Sequence, residues 1–342
     1  DGKLIRDMGI SKAINSSNSE IIFTSGGTES DNLAFKGLLA NKIENDQNEI
    51  IISTIEHHAI IHPAEQMKEL GYSIFHCPIN KKGFVEIDSL NKLITNKTKF
   101  ISVMYANNEI GTIQKIKKLV EMTRRKEKEF GIEIIFHTDA VQAVGKIQID
   151  VKDLDVDALS ISAHKFNGPK GIGALFLKEK HTITPLIDGG GQERQNRSGT
   201  ENVPNIVGFS KAIELAEKNR LKFCEHTLSL KMEFINQIKN DCQEIIFHSE
   251  IEESLPNIIN FSIPNVHGEP ILIALDFKQI MASSGSACST ASTEPSHVLL
   301  AKGIDKQTAL GSIRISFGIN NTFEEIKYIN KSIIEVINDL KS

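Results

Sequence analysis

The chain has 342 residues, 40% of them hydrophobic and 24% charged, with a formal net charge of −5. That length accommodates two domains and a sizeable core, and the mild acidity offers no basic field for nucleic acid. No run of about 18 apolar residues reads as a membrane span and no targeting motif stands out; cysteines at 77, 224, 242 and 288 make neither a disulfide framework nor a CxxC zinc site, so a reducing cytoplasm is the expected setting.

The opening "DGKLIRDMGISKAI" reads as the later part of a helix, so an N-terminal piece is expected to be missing. Short apolar runs follow: "EIIFT" (20–24), "EIIIST" (49–54), "FISVMYA" (100–106), "IEIIFH" (132–137), "ALSISA" (158–163) and "GALFL" (173–177). Each is the length of a buried strand. Helical stretches, such as 63–70 and 116–130, lie between several of them. Alternation of this kind predicts an α/β fold with a mostly parallel sheet wrapped by helices. From about residue 212 the pattern changes. A charged helix over about 206–240 leads to the strand "NIINFSI", a helix near 269–277, the strand "SIRISF" and an amphipathic helix over 322–340. The expected division is a large domain over 1–212 and a smaller α+β domain over 213–342.

Several polar stretches sit where strands run out. "FTSGGTESDNLAFKG" (23–37) is a strand, a glycine turn and a helix start. Gly26 and Gly27 permit close backbone approach and Thr28 adds a hydroxyl, which suits a phosphate; an ordinary capped helix explains the same residues. "IEHHAIIH" (55–62) places His58 and His62 four apart, but a third metal ligand is missing, so no metal is expected. His57, at a strand-to-helix junction, could meet a planar ligand. In "YANNEIG" (105–111), Asn107 and Asn108 stand where open α/β sheets meet ligands, or form an Asn-rich turn. Asp139, with Gln142 three residues on, follows an apolar strand; it either holds a cationic ring nitrogen or caps a helix. In "SISAHKFNGPKG" (160–171), Lys165 ends a strand beside Ser162 and His164. A lysine in a largely enclosed site is a Schiff-base former. The polar loop "GGGQERQNRSGTENV" (189–203) carries Arg194, Arg197 and Thr200. Arg314 is mid-strand, suited to a structural carboxylate or a substrate carboxylate. Finally, "SSGSACSTAS" sets Cys288 among small residues, either a tight turn or a thiol on a mobile arm. An acid for a pyridinium, a lysine for an aldehyde and a phosphate cup are the parts pyridoxal phosphate requires.

The ordered motifs "FTSGGTESDN", "EHHAI", "NNEIG", "HTDAVQ", "SAHKFNGPKG", "RSGTEN", "SSGSAC", "EPSHVL" and "SIRISFG" resemble those of the cysteine desulfurases of the NifS/IscS type, in the class V aminotransferase-like family. The resemblance implies the fold type I architecture of pyridoxal phosphate enzymes, with a mostly parallel seven-stranded sheet in the large domain. It implies that Lys165 binds the cofactor covalently, that Asp139 pairs with the ring nitrogen, that Gln142 reaches the ring hydroxyl and that His57 stacks on the ring and moves protons. Gly27, Thr28, Ser162 and His164 would hold the phosphate, with Thr200 supplied by the other subunit of a homodimer. Asn108 would line the cofactor site and, with Arg314, bind the substrate carboxylate. Cys288 would take sulfur from L-cysteine as a persulfide, release L-alanine, and pass the sulfur to an iron–sulfur scaffold or toward tRNA thiolation. Two other readings stand beside this one: a selenocysteine lyase or other lyase of the same family, and a truncated, catalytically silent partner-binding homologue.

Overall fold

The structure, a computed structural model, describes residues 9–40, 46–285 and 294–341; Cys288 lies outside the described residues. The described residues divide into two compact units. One contains the chain up to Pro78, Val85–Ala106 and Gln114–Arg220; the other contains Ile79–Phe84, Asn107–Ile113 and the chain from Leu221 onward. The division falls inside one long helix, Val203–Asp241. A boundary at 212/213 would fall inside the same helix.

In the first unit the apolar runs become a seven-stranded sheet. In chain order the strands are β1 (Ile21–Thr24), β2 (Glu49–Ser53), β3 (Ser73–Cys77), β4 (Thr98–Ser102), β5 (Ile135–Asp139), β6 (Ala158–Ser162) and β7 (Gly173–Leu177). Their spatial order is β1-β7-β6-β5-β4-β2-β3. β2 to β6 pair in parallel, while β7 runs antiparallel to both β1 and β6. Every residue of β1, β5, β6 and β7 is buried, as expected of strands covered on both faces. Phe35 packs on Phe100 with ring centroids 4.7 Å apart. Burying each such side chain stabilises the fold by about 1.5–3 kcal/mol. β3 has no counterpart among the predicted strands, because this edge strand is half-exposed and carries Ser73 and His76 at exposed positions.

The helices follow local chemistry. Ile116–Phe130 buries Ile116, Leu119, Val120, Met122 and Thr123, a helical stripe, and stops at Gly131, which takes a left-handed φ of 67°. The predicted helix starting at Pro63 begins earlier, at His58. Pro63 therefore lies inside it and cannot donate to the carbonyl of Ala59. The Asn32 side-chain amide donates to that carbonyl instead, at 3.4 Å, which makes the internal proline tolerable.

The second unit holds an antiparallel sheet in the order β10-β9-β8, formed by β8 (Ile246–Phe247), β9 (Ile258–Ser262) and β10 (Ser312–Ser316). Period-two alternation sorts its residues. Ile259, Phe261, Ile313 and Ile315 enter a core with Phe234 and Ile333. Asn260 and Arg314 are cross-strand partners on the other face. Among the described residues, no helix is long and apolar enough to cross a membrane.

Candidate active site

β1 and β6 both run antiparallel to β7, so they share a direction with each other and with the parallel block β2–β6. The C-terminal ends of β1, β2, β4, β5 and β6 therefore lie along one edge of the sheet, the edge at which open α/β sheets take ligands. The motif residues gather there because each follows a strand end: Gly26–Thr28 after β1, His57 after β2, Asp139 closing β5, and Ser162 to Lys165 closing and following β6.

Asp139 is 6% exposed. Its Oδ1 accepts from the backbone N–H of Val141 at 2.8 Å. Burial raises its pKa, the Val141 bond and the nearby charge of Lys165 oppose that rise, and the net shift is upward. A carboxylate so placed gains from a cationic partner. Gln142, half-buried in the turn that follows, uses its backbone carbonyl to accept from Lys146 Nζ at 3.1 Å.

Lys165 was expected at a strand end in a largely enclosed site. β6 instead stops at Ser162, and Ala163–Phe166 form a single tight helical turn. Asn167, in a left-handed conformation, ends that turn, and a Cβ on Gly168 would come 2.9 Å from the Ala163 carbonyl oxygen. Lys165 and His164 are consequently exposed, beyond the strand edge. Ser162 Oγ and His164 Nδ1 are 2.8 Å apart, which ties the two phosphate-type donors together. Partial desolvation of its ring, with Lys165 and Lys170 nearby, lowers the His164 pKa.

The glycine turn fits against this pair. A Cβ on Gly27 would come 2.7 Å from Val141 Cγ2 and 3.4 Å from Ser162 Cβ. Only glycine therefore lets the turn approach the ends of β5 and β6 this closely. A Cβ on Gly26 would meet nothing nearer than Ser162 Oγ, at 4.0 Å, so the turn leaves open space beside that hydroxyl. Thr28 is exposed next to it.

The loop over 189–200 is fastened rather than merely solvated. Glu193, 5% exposed, accepts from Phe23 N at 3.0 Å. Arg194 donates to the Ile21 carbonyl at 2.6 Å, and Arg197 Nε meets Glu29 Oε1 at 2.9 Å. Glu29 also accepts from Ser25 N. Despite the cost of burying it, these partners lower the Glu29 carboxyl below its usual range. Thr200 is exposed at the end of this loop. Residues 21 and 193 lie far apart in the chain, so sequence inspection had no local signal for this tether.

His57 caps the helix His58–Met67. Its Nδ1 accepts from Ala59 N at 3.1 Å, which leaves Nε2 as the proton-bearing nitrogen of the neutral ring. The His58 and His62 rings are tilted against each other with centroids 4.9 Å apart, but no group of three metal-capable side chains gathers among the described residues.

Within the second unit, Arg314 Nη1 donates to the Asn108 carbonyl at 2.9 Å. The Arg314 backbone exchanges hydrogen bonds with Ser283. Glu109, 2% exposed, accepts from Ser296 Oγ at 2.5 Å, and a Cβ on Gly285 would lie 3.0 Å from its Oε2. One buried carboxyl therefore bonds residue 296 and leaves little room for a side chain at residue 285, the two positions that bracket the cysteine segment. Glu109 sits within the quoted motif "YANNEIG", yet nothing in that stretch announces its partners.

The first unit thus offers a glycine turn and a Ser–His pair for a phosphate, an acid for a ring nitrogen and a lysine for an aldehyde. This donor set fits pyridoxal phosphate. Residues 7–329 match the family model described as aminotransferase class-V. The chain belongs to the aminotransferase class-V family. Within it the chain groups with cysteine desulfurases of the NifS/IscS type. It is 46% identical over 331 residues to a protein named cysteine desulfurase IscS from Clostridium botulinum, covering 96% of this chain and 81% of that one. It is 45% identical over 333 residues to the protein of the same name from Dictyoglomus turgidum, covering 97% and 83%. A solved NifS-like protein superposes with a TM-score of 0.90 at 37% identity, covering 99% of this chain and 87% of that one. The seven-stranded, mostly parallel sheet is the architecture shared with that structure.

Proposed function

We propose that the chain is a pyridoxal phosphate-dependent L-cysteine desulfurase. It works in the cytoplasm as a homodimer and passes sulfur through Cys288 to an iron–sulfur scaffold or, for tRNA thiolation, another acceptor. The observation that carries this reading is that Asp139 and Lys165 follow neighbouring strands to one sheet edge, near enough for the lysine's charge to act on the acid, beside the Gly26–Thr28 turn and Ser162. The division of labour places the cofactor on residues 1–212 and the cysteine segment on 213–342.

Bound there, the cofactor would supply an electron sink for bond breaking next to the substrate nitrogen. The chain's own residues do the rest. Gly27, Thr28, Ser162 and His164 hold the phosphate, and Thr200 of a second copy completes that grip. Lys165 anchors the cofactor covalently, Asp139 keeps its ring nitrogen protonated and Gln142 meets the ring hydroxyl. His57 stacks on the ring and carries its movable proton on Nε2, because Nδ1 is committed to Ala59. Asn108 lines the cofactor site as well, and with Arg314 it holds the substrate carboxylate. The Cys288 thiolate attacks the substrate sulfur. The substrate carbon–sulfur bond breaks as the sulfur–sulfur bond forms, and a proton taken up at the carbon gives L-alanine.

The test is spectroscopic. The purified protein is expected to absorb in the visible, and Lys165→Ala to lose that band together with alanine formation from L-cysteine. A visible band that survives Lys165→Ala would remove the lysine from its assigned role.

A further inference from the structure

Behind the motif residues lies a tier of titratable groups: Asp31 at 1% exposure, and Glu56 and His137 at 0%. Asp31 is in the helix that begins at Gly27, Glu56 directly precedes His57, and His137 lies two residues before Asp139 on β5. Alternation along a strand puts His137 and Asp139 on one face.

Contacts link His137 to Asp31, and Glu56 is held separately by its own partners. His137 Nδ1 meets Ser102 Oγ at 2.9 Å and Nε2 meets Ser160 Oγ at 3.0 Å. Nε2 is also 3.7 Å from Asp31 Oδ1. Ser160 hydrogen-bonds Asp31 and is the register partner of Asp139 on the neighbouring strand. Asp31 Oδ1 has no hydrogen-bond partner among the described residues. Glu56 Oε1 accepts from Ser53 Oγ at 2.5 Å and from Met104 N at 2.7 Å.

Three carboxyls in so dry a place cannot all ionise. Burial disfavours each anion, and each anion disfavours the next. Asp139 acts on both Asp31 and Glu56, and Glu56 acts on Asp31. His137 brings no charge, because burial pushes it down to about 3. Lys165 does bring charge, and it acts on Asp139. Asp139 also holds a backbone N–H that favours its ionised form. Asp31 is raised well above its usual range, and Glu56 is raised to about 8.

We propose that Asp31 and Glu56 are positioning residues that keep their protons at neutral pH, so that the cluster's single negative charge resides on Asp139. The consequence rests on the functional reading, in which Asp139 faces the cofactor's ring nitrogen. An ionised Asp31 or Glu56 would raise Asp139 further and let it take a proton, weakening its hold on a protonated ring.

Infrared difference spectra of the holoenzyme at neutral pH test this in the protonated-carboxyl C=O region. Asp31→Asn and Glu56→Gln are each expected to remove one component there, and Asp139→Asn to remove none. As pH rises through about 8, the wild-type visible band should shift with Glu56 ionisation, and Glu56→Gln should lack that step. Unchanged infrared spectra in both Asp31→Asn and Glu56→Gln, or a component lost in Asp139→Asn, would overturn the proposal. Should Asp31→Asn fail to fold, the Glu56→Gln and Asp139→Asn spectra decide it. A protein that takes up no visible-absorbing cofactor counts against the functional reading instead, and its infrared spectra still report where the protons sit.

Discussion

Arg314 shows how one side chain is constrained from several directions. Its backbone is bonded to Ser283, its Nη1 to the Asn108 carbonyl, and its cross-strand neighbour is Asn260. A guanidinium held this way presents a fixed fork, the geometry that suits a carboxylate. Lysine would keep the charge and lose the fork. Arg314→Lys is therefore expected to raise the KM for L-cysteine about tenfold, equivalent to about 1.4 kcal/mol of binding, with a smaller change in kcat. Steady-state kinetics check this; an unchanged KM would remove Arg314 from the substrate carboxylate. At this scale much of the site was legible. Asp139 and Lys165 follow apolar runs of strand length and Ser162 lies at the end of one, and a polar residue at such a break is conspicuous. Asp31 and Glu56 lie in two other motifs, 23–37 and 55–62, where nothing in the sequence distinguishes them from their polar neighbours. Their meaning comes from burial and mutual proximity, which the chain acquires only on folding.

At the scale of elements, the sheet's far edge depends on a buried charge network. Asp157, fully buried at the start of the β6 hairpin, accepts from Arg124 Nη2 at 2.6 Å, from Phe136 N at 2.9 Å and lies 2.9 Å from His181 Nε2. Burial alone would raise its pKa, but the His181 and Arg124 partners outweigh that and hold it far below the usual carboxylate range. Folding therefore favours the ionised form. The resulting stability is present above the carboxyl's ordinary pKa of 3.8 and is lost as acid protonates the folded carboxylate. Asp157→Ala would leave the Phe136 N–H without its acceptor and take one carboxylate from Arg124, which keeps Glu127 and Asp155, and is expected to cost about 1–3 kcal/mol. Urea unfolding checks both statements, and a cost below about 1 kcal/mol would show that the network is idle. Elements were legible where periodicity was clean. The buried strands and the helix over 116–130 show it plainly. The half-exposed edge strand β3 had no period to read, and the helix from His58 was hidden because Pro63 resembles a helix start.

At the scale of the whole molecule, the family match runs over residues 7–329, and the two compact units each carry part of the assigned chemistry. Asp139, Lys165 and the glycine turn belong to the first, while Asn108 and Arg314 belong to the second. The assignment of Asn107–Ile113 to the second unit was not legible in sequence, because that segment lies between a strand and a helix of the first. Glu109 shows what the segment contributes, bonding Ser296 on one side of the Cys288 stretch and crowding Gly285 on the other. The central claim is that sulfur passes through Cys288. Its most direct test is mass spectrometry of the holoenzyme after mixing with L-cysteine in the absence of reductant. The account predicts one added sulfur atom on the peptide containing Cys288, with one alanine formed per sulfur gained and neither product in Lys165→Ala. Continued alanine formation with no sulfur on Cys288 would contradict it and point to a lyase that does not use the thiol.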